Sequence, residues 1–407
     1  MRFLHTSDLH IGKKIFETSL LEEQRHMLKQ IFDMAVEEAV EALVIAGDIY
    51  DRSMPATEAV MLLDEFLTWF SEKKIPVIMI SGNHDSPERV GFADRILEKQ
   101  GIYIAGRIEN KAFDLEAGYQ MNSQEDSLEG LGANCGGSLR RVVLEDAFGK
   151  VVFVCLPFVK PGIVECSNCA EAVARILDEE RIDFQDGNRY VLVTHYFVTG
   201  QSGQVPELSE SETGIDVGGI DNVPAQVFDG FAYVALGHIH KAQQIGNGNL
   251  YYSGAPMQYS FAEAGCKKGV YLVDMRENGQ AEVSFKTLLP LHQMRCVKGK
   301  LAELIREDIV NAPDTDPLDY IQATLTDRDE LVDPMSTLRS VYPHALQILL
   351  EKNHQVSEET YESRLIGERK GTEELFADFY EMLTGSVLDD EQLEAVREAA
   401  GQAEACL

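Results

Sequence analysis

Four short polar clusters, each set directly behind a hydrophobic run, constrain this chain more than any other feature. They are Asp8-Leu9-His10, Gly47-Asp48-Ile49-Tyr50-Asp51, Gly82-Asn83-His84-Asp85 and Gly237-His238-Ile239-His240, with Thr194-His195 completing the set. The runs before them, Arg2–Ser7, Ala42–Ala46, Val77–Ser81, Tyr190–Val193 and Tyr233–Leu236, read as buried parallel strands. In an open α/β sheet the carboxyl ends of such strands converge on one crevice, where ligands sit. Two carboxylates, four imidazoles and an amide gathered there are unfavourable to bury together unless cations hold them. A pair of divalent metals is therefore the simplest expectation.

The residue types narrow the metal. Asp8, Asp48 and Asn83 offer hard oxygens, His10, His195, His238 and His240 offer imidazole nitrogens, and no cysteine lies in the clusters. Oxygen and imidazole without thiolate suit Mn²⁺, Fe²⁺ or Zn²⁺ in an expanded shell. A closed structural zinc site is tetrahedral and usually rich in thiolate, and Mg²⁺ prefers oxygen and keeps its waters. Two divalent ions, with Mn²⁺ the expected metal, follow. Asp48 is the natural bridge between them, because its strand is expected at the centre of the sheet.

In chain order, Asp-x-His, Gly-Asp-x-x-Asp, Gly-Asn-His-Asp, a lone His behind a strand and Gly-His-x-His resemble the calcineurin-like metallophosphoesterase superfamily. The flanks MRFLHTSDLHIGK (Met1–Lys13), GDIYDRSMP (Gly47–Pro55), GNHDSPER (Gly82–Arg89) and YSGAPMQYSFAEAG (Tyr252–Gly265) are similar to one branch of it. That branch is the SbcD family, the nuclease subunits of bacterial SbcC–SbcD break-repair complexes. The likeness runs from Met1 to about Leu350 and is weaker between residues 108 and 150.

The resemblance implies an α/β fold: a metallophosphoesterase β-sandwich core flanked by helices, a small α/β capping domain and a helical C-terminal tail. It implies that Asp8, His10 and His240 complete one metal site and Asn83, His195 and His238 the other, on either side of Asp48. His84 is not carried over as a ligand; it is placed to protonate the leaving oxygen or steady the transition state. Asp85 is expected to orient His84. Asp51 is expected to support the ligands from behind, although some members of the nuclease branch carry His at that position. The implied activity is ATP-independent 3′→5′ exonuclease action on duplex ends and endonuclease action on hairpins, in DNA repair and recombination. The implied partners are double-stranded DNA ends and hairpins, and an SbcC ATPase bound through the C-terminal helices, with the chain a homodimer inside a heterotetramer.

Composition bears on the same question. At 407 residues, two or three units are expected. No apolar run approaches the roughly 20 residues of a membrane span, and Met1–Ser7 already reads as a strand rather than a signal segment. Seven scattered cysteines point to a reducing cytoplasm, and Cys166-Ser-Asn-Cys169 is a lone pair of thiols without a second C-x-x-C. The net charge of −32 runs against a nucleic-acid enzyme, which is expected to carry a basic footprint. Metal ions at the crevice mouth, a local rim of Lys13, Lys14, Arg52, Arg89 and Arg95, or a partner that contributes binding surface would reconcile the two, and the deficit itself favours a partner.

Between the motifs, Leu20–Val40 and Val60–Phe70 carry apolar stripes at helical spacing, the first interrupted by Gln24. Asn110–Gly149 is Gly-rich and weakly patterned, and reads as an irregular insertion. Leu250–Tyr252, Gly269–Asp274 and Ala281–Lys286 read as strands closing the first domain, 1–288. A βαβαβ pattern follows in the expected cap, 289–352: strands Met294–Val297, Tyr320–Leu325 and Ala345–Leu350 with helices Leu301–Arg306 and Met335–Val341. The remaining region, 353–407, is acidic, with Leu375, Phe376, Phe379, Met382 and Leu383 forming one helical stripe and Leu388, Leu393, Val396 and Ala400 a weaker one. His5 and His26 read as core or boundary histidines. The alternative function is a dimetal phosphatase or phosphodiesterase for a small molecule or phosphoprotein, since the motifs alone suit any phosphoester. A compact phosphatase needs neither the cap nor the tail.

Overall fold

The computed structural model describes residues 1–108, 139–200, 204–208, 221–313, 315–327 and 331–351, together with Phe376, Ala377, Tyr380, Leu388 and 392–397. The chain divides into two compact units, Met1–Leu349 and Leu350–Leu407.

In the first unit the motif strands fall into two six-stranded sheets. One runs in the order Ala281–Thr287, Gly269–Met275, Arg2–Thr6, Ala42–Ala46, Val77–Ile80, Ile102–Ala105. Its last four strands are parallel and its first two antiparallel. The other runs Gln243–Gln244, Leu250–Tyr252, Tyr233–Gly237, Arg189–His195, Gly149–Leu156, Arg140–Asp146, with the four inner strands parallel.

Each sheet is apolar on both faces, and the period-two alternation sends successive residues to different cores. Ala42, Val44, Ile78 and Ile80 of the first sheet meet Phe153, Val191, Val193 and Ala235 of the second. The Phe3 ring stands edge-on to Phe153 at 5.4 Å and to Tyr233 at 5.7 Å across that interface. Leu43, Ile45, Val77 and Met79 point the other way and pack under the helices Leu21–Glu37 and Thr57–Lys73. The helix Cys169–Glu179 covers the outer face of the second sheet through Cys169, Val173 and Ile176. The described helices cover one face of each sheet, so the two remaining faces bury each other.

The expected sandwich flanked by helices is thus the fold, whereas the single open sheet is not. The five motif strands divide three to two between the sheets, and the crevice lies where the ends of both sheets meet. The irregular insertion also needs correcting at its end. Arg140–Asp146 is a strand, antiparallel to Gly149–Leu156, while 109–138 lie outside the described residues.

Beyond the sandwich, Met294–Gly299, Tyr320–Leu325 and Ala345–Leu350 form a three-stranded sheet in that order, the first two parallel. Short helices Leu301–Leu304, Glu307–Val310 and Pro334–Arg339 pack on it around Ile321, Ala323, Leu325, Leu338 and Tyr342. Of the tail, Phe376, Ala377, Tyr380 and 392–397 are helical and Leu388, expected in the second stripe, is not; the remaining residues of the expected two-helix stripe lie outside the described residues. No described helix is long and apolar enough to cross a membrane.

Candidate metal centre

The crevice is built from turns that leave the strand ends together. The backbone N–H of Asp8 donates to Gly47 O at 3.1 Å and that of His10 to Asp48 O at 3.0 Å, so the first two clusters run side by side. Asp8, His10, Asp48 and His238 all have positive φ, at 53°, 42°, 49° and 101°. Such backbone costs about 1–3 kcal/mol per residue and persists where the surroundings over-determine it, often at functional sites. Two glycines make the approach possible. A Cβ on Gly82 would lie 2.1 Å from Asp48 Oδ1, and one on Gly237 would lie 1.9 Å from Ala46 O and 2.6 Å from His195 Nδ1.

All seven expected ligands come to this place. Atoms of Asp8, His10 and His240 lie within 4.8 Å of one another, as do those of Asp8, Asp48 and His195. Nε2 of His10 faces Nε2 of His240 at 3.2 Å. Asp48 Oδ2 stands 3.7 Å from His10 Nε2 and 3.3 Å from His195 Nε2, between the two groups. Asn83 Oδ1 is 3.0 Å from both His195 Nε2 and His238 Nδ1. Asp8, His10, Asp48, His195 and His240 are buried, whereas Asn83 is exposed, so the crevice opens on the Asn83 side.

The donor set suits cations on its own evidence. Nδ1 of His195 donates to Ala46 O at 2.8 Å, which fixes the tautomer and turns the Nε2 lone pair toward Asp48 and Asn83. Without a cation, the charges here conflict. Burial works to lower the His195 pKa, yet Asp48 outweighs it and raises the group to about 9. Burial and the charge on His195 push His238 down to about 3. His10 is pushed well down by burial, and Asp8 is pushed up by burial despite His195. Asp48 is held below the usual carboxylate range: burial opposes this, and His195 and His10 outweigh it. Divalent cations would resolve these conflicts by replacing shared protons among buried carboxylates and imidazoles.

The three residues assigned beside the ligands are placed differently from one another. His84 is adjacent to the crevice, its side chain 45 % exposed, with Nε2 4.0 Å from Asp48 Oδ2 and Nδ1 3.2 Å from Asp51 O. Asp85 is not its partner. The Asp85 carboxylate is buried and accepts from the backbone N–H groups of Ile49 (3.0 Å), Tyr50 (2.9 Å) and Gly82 (2.9 Å), pinning the second and third clusters together. Burial, reinforced by Asp48, raises its pKa to about 6. The sequence expectation failed because adjacency along a turn points neighbouring side chains apart. Asp51 lies behind His10, with Oδ1 3.8 Å from Nδ1 of His10 and 2.8 Å from Lys13 Nζ.

Several buried supports carry no motif. Ser7 Oγ hydrogen-bonds Asp8 and, at 2.7 Å, Ser253 Oγ. Gln24 donates to His10 O at 2.7 Å and accepts from Gly12 N–H at 2.9 Å. Its polar break in an apolar helix stripe was the available signal. Glu263 and Lys268 sit beside His240. Of the basic rim candidates, Lys13 is engaged by Asp51, and Lys14, Arg52, Arg89 and Arg95 are exposed. His5 is buried in the sheet interface, 2.9 Å from the Tyr233 hydroxyl, and takes no part. Cys166 and Cys169 are both free.

A crevice of this kind can hold cations against one face of a phosphoester, and the fold and donor set together define a metal-dependent phosphoesterase. The sequence model of the calcineurin-like phosphoesterases matches residues 1–242, more than half of the chain, and the chain belongs to that family. A second model, the type 5 capsule protein repressor C-terminal domain (SbcD_C), matches residues 290–384. Among curated proteins, the SbcD subunit of the nuclease SbcCD of Staphylococcus epidermidis is 29 % identical over 363 residues, covering 86 % of this chain and 85 % of that protein. Among solved structures, TT1561 of Thermus thermophilus covers 70 % of this chain and 98 % of its own at 10 % identity and a TM-score of 0.36, too loose to bear on the site.

Proposed function

We propose that this chain is the nuclease subunit of an SbcC–SbcD-type complex, a Mn²⁺-dependent DNA phosphodiesterase. The observation that carries the reading is the meeting of seven donors from two sheets around Asp48, with His84 at the open edge. Its support from relatives is the likeness to the SbcD component of an SbcCD nuclease along most of both chains.

In this reading Asp8, His10 and His240 would hold one cation and Asn83, His195 and His238 the other, with Asp48 available to both. Two divalent ions, when bound, supply Lewis acidity and a water of lowered pKa. The protein's own part is to fix the donors before substrate arrives. His195 is locked by Ala46, and the Asp8 carboxylate accepts from His238 N–H at 3.1 Å. His84 offers Nε2 to the leaving oxygen while Nδ1 is anchored on Asp51 O, a proton-transfer role typically worth about 10²–10⁴-fold. The open Asn83–His84 side admits a backbone phosphate of a polymer.

We assign residues 1–288 to the catalytic domain, 289–352 to a cap and 353–407 to the segment that binds the SbcC ATPase, within a cytoplasmic heterotetramer built on a homodimer. The acidic net charge of −32 accords with a partner that supplies part of the DNA surface. The test is cleavage of a 5′-labelled hairpin duplex by the chain, with and without its ATPase partner, in Mn²⁺, Mg²⁺ and Zn²⁺. The reading expects ATP-independent 3′→5′ degradation of duplex ends with Mn²⁺ and hairpin opening with the partner. Hydrolysis of a nitrophenyl phosphodiester without DNA cleavage under any combination would favour the phosphatase alternative.

A further inference from the structure

Beside the seven donors lies a buried carboxylate–ammonium pair that the reaction above does not use. Glu263 is 2 % exposed and Lys268 8 %. Lys268 Nζ is 3.0 Å from Glu263 Oε2 and donates to the backbone carbonyl of His240 at 2.9 Å. Glu263 Oε2 also accepts from the Tyr259 N–H at 3.0 Å, and Oε1 stands 3.5 Å from Nδ1 of His240. On the opposite wall a looser version stands, with Asp51 Oδ1 3.8 Å from His10 Nδ1 and 2.8 Å from Lys13 Nζ. The two imidazoles backed in this way present Nε2 to each other at 3.2 Å across the crevice.

A buried ion pair contributes little net stability compared with apolar residues of the same volume. Its placement behind a ligand has a more specific effect. A carboxylate at the far nitrogen of a ligating imidazole keeps the proton there, orients the ring and strengthens the near nitrogen as a donor. We propose that Glu263 and Lys268 form a positioning clamp for His240. Glu263 holds the proton on Nδ1 so that Nε2 is left for the cation, and Lys268 ties the carboxylate and the His240 backbone to one point. Neither residue touches reacting atoms. The clamp rests on the reading of the crevice as a metal centre.

The test titrates the full chain with Mn²⁺ alone and reads bound metal by electron paramagnetic resonance. Wild type is expected to take up two ions. Glu263→Gln is expected to weaken one of them by about 10–100-fold and leave the other unchanged. The double variant E263Q/K268M removes both charges together, so it preserves the fold even if the single variant leaves Lys268 unpaired; it should show the same one-site weakening. In Zn²⁺-loaded wild type, ¹⁵N NMR of His240 is expected to find the proton on Nδ1. Two unchanged affinities in the double variant, or a His240 proton on Nε2, overturn the clamp while the metal centre stands. A wild-type chain that takes up no Mn²⁺ and no Zn²⁺ overturns the metal centre itself.

Discussion

Exposure separates His84 from the buried histidines around it: its ring lies edge-on to His10 at 4.9 Å, yet 45 % of the side chain meets solvent. A proton donor to an incoming substrate has to be reachable, and His84 meets that condition, although its ring also lies close enough to His10 and Asp48 to share a cation with them. His84→Gln should therefore cut DNA cleavage by about 10²–10⁴-fold while leaving Mn²⁺ uptake at two ions, measured by single-turnover kinetics beside a metal titration. Loss of a metal in that variant would move His84 from proton transfer to ligation. Asp85 shows the opposite case, a carboxylate spent entirely on backbone N–H groups. Its replacement would act on the shape of the turns rather than on a proton.

At the scale of elements, the helix Leu21–Glu37 does more than cover a sheet. Met27, Leu28, Ile31 and Ala35 face the core, and Gln24 in the same stripe reaches the loop that carries His10. Gln24→Leu would fill similar space and leave buried polar groups of Leu9–Gly12 without this partner, at a cost of about 1–3 kcal/mol. Urea unfolding should show that loss, together with weaker metal uptake; unchanged stability and uptake would mean the loop is held by other contacts. Much of this was legible beforehand. Strands such as Ala42–Ala46 are buried on both faces, and buried runs announce themselves without periodicity. Each donor sits within four residues of the end of such a run. What was not legible depends on partners distant in the chain. The division of strands between two sheets is set by which faces the helices leave uncovered. The strand Arg140–Asp146 mixes charge with apolar residues, because only Val142 is fully buried along it. Glu263 meets His240 through a fold-back of the Tyr252–Gly265 segment, which no spacing rule reveals.

At the scale of the whole molecule, the two sheets are also joined by charge. Asp146 of the second sheet accepts from Arg189 at 3.0 and 2.5 Å and from the Met1 ammonium beside the first, and Arg189 reaches Met275 O at 3.5 Å. Burial alone would raise the Asp146 pKa, but the hydrogen bonds from Arg189, Met1 and the Phe148 N–H outweigh it and hold the carboxyl well below the usual range. A carboxyl depressed on folding stabilises fully above its unfolded value of about 4, and that stabilisation is lost as pH falls through the lower folded value. Asp146→Asn should lower urea stability at pH 7 and reduce the acid-induced loss below pH 4 relative to wild type. Parallel pH profiles for the two proteins would count against the linkage.

The proposed metal centre lies in the crevice where those sheets end, and anomalous diffraction from crystals soaked in Mn²⁺ would locate its ions. Two peaks are expected roughly 3.5–4 Å apart, flanking Asp48, one beside Asp8, His10 and His240 and the other beside Asn83, His195 and His238. No peak in the crevice, or a single peak away from Asp48, would contradict the account.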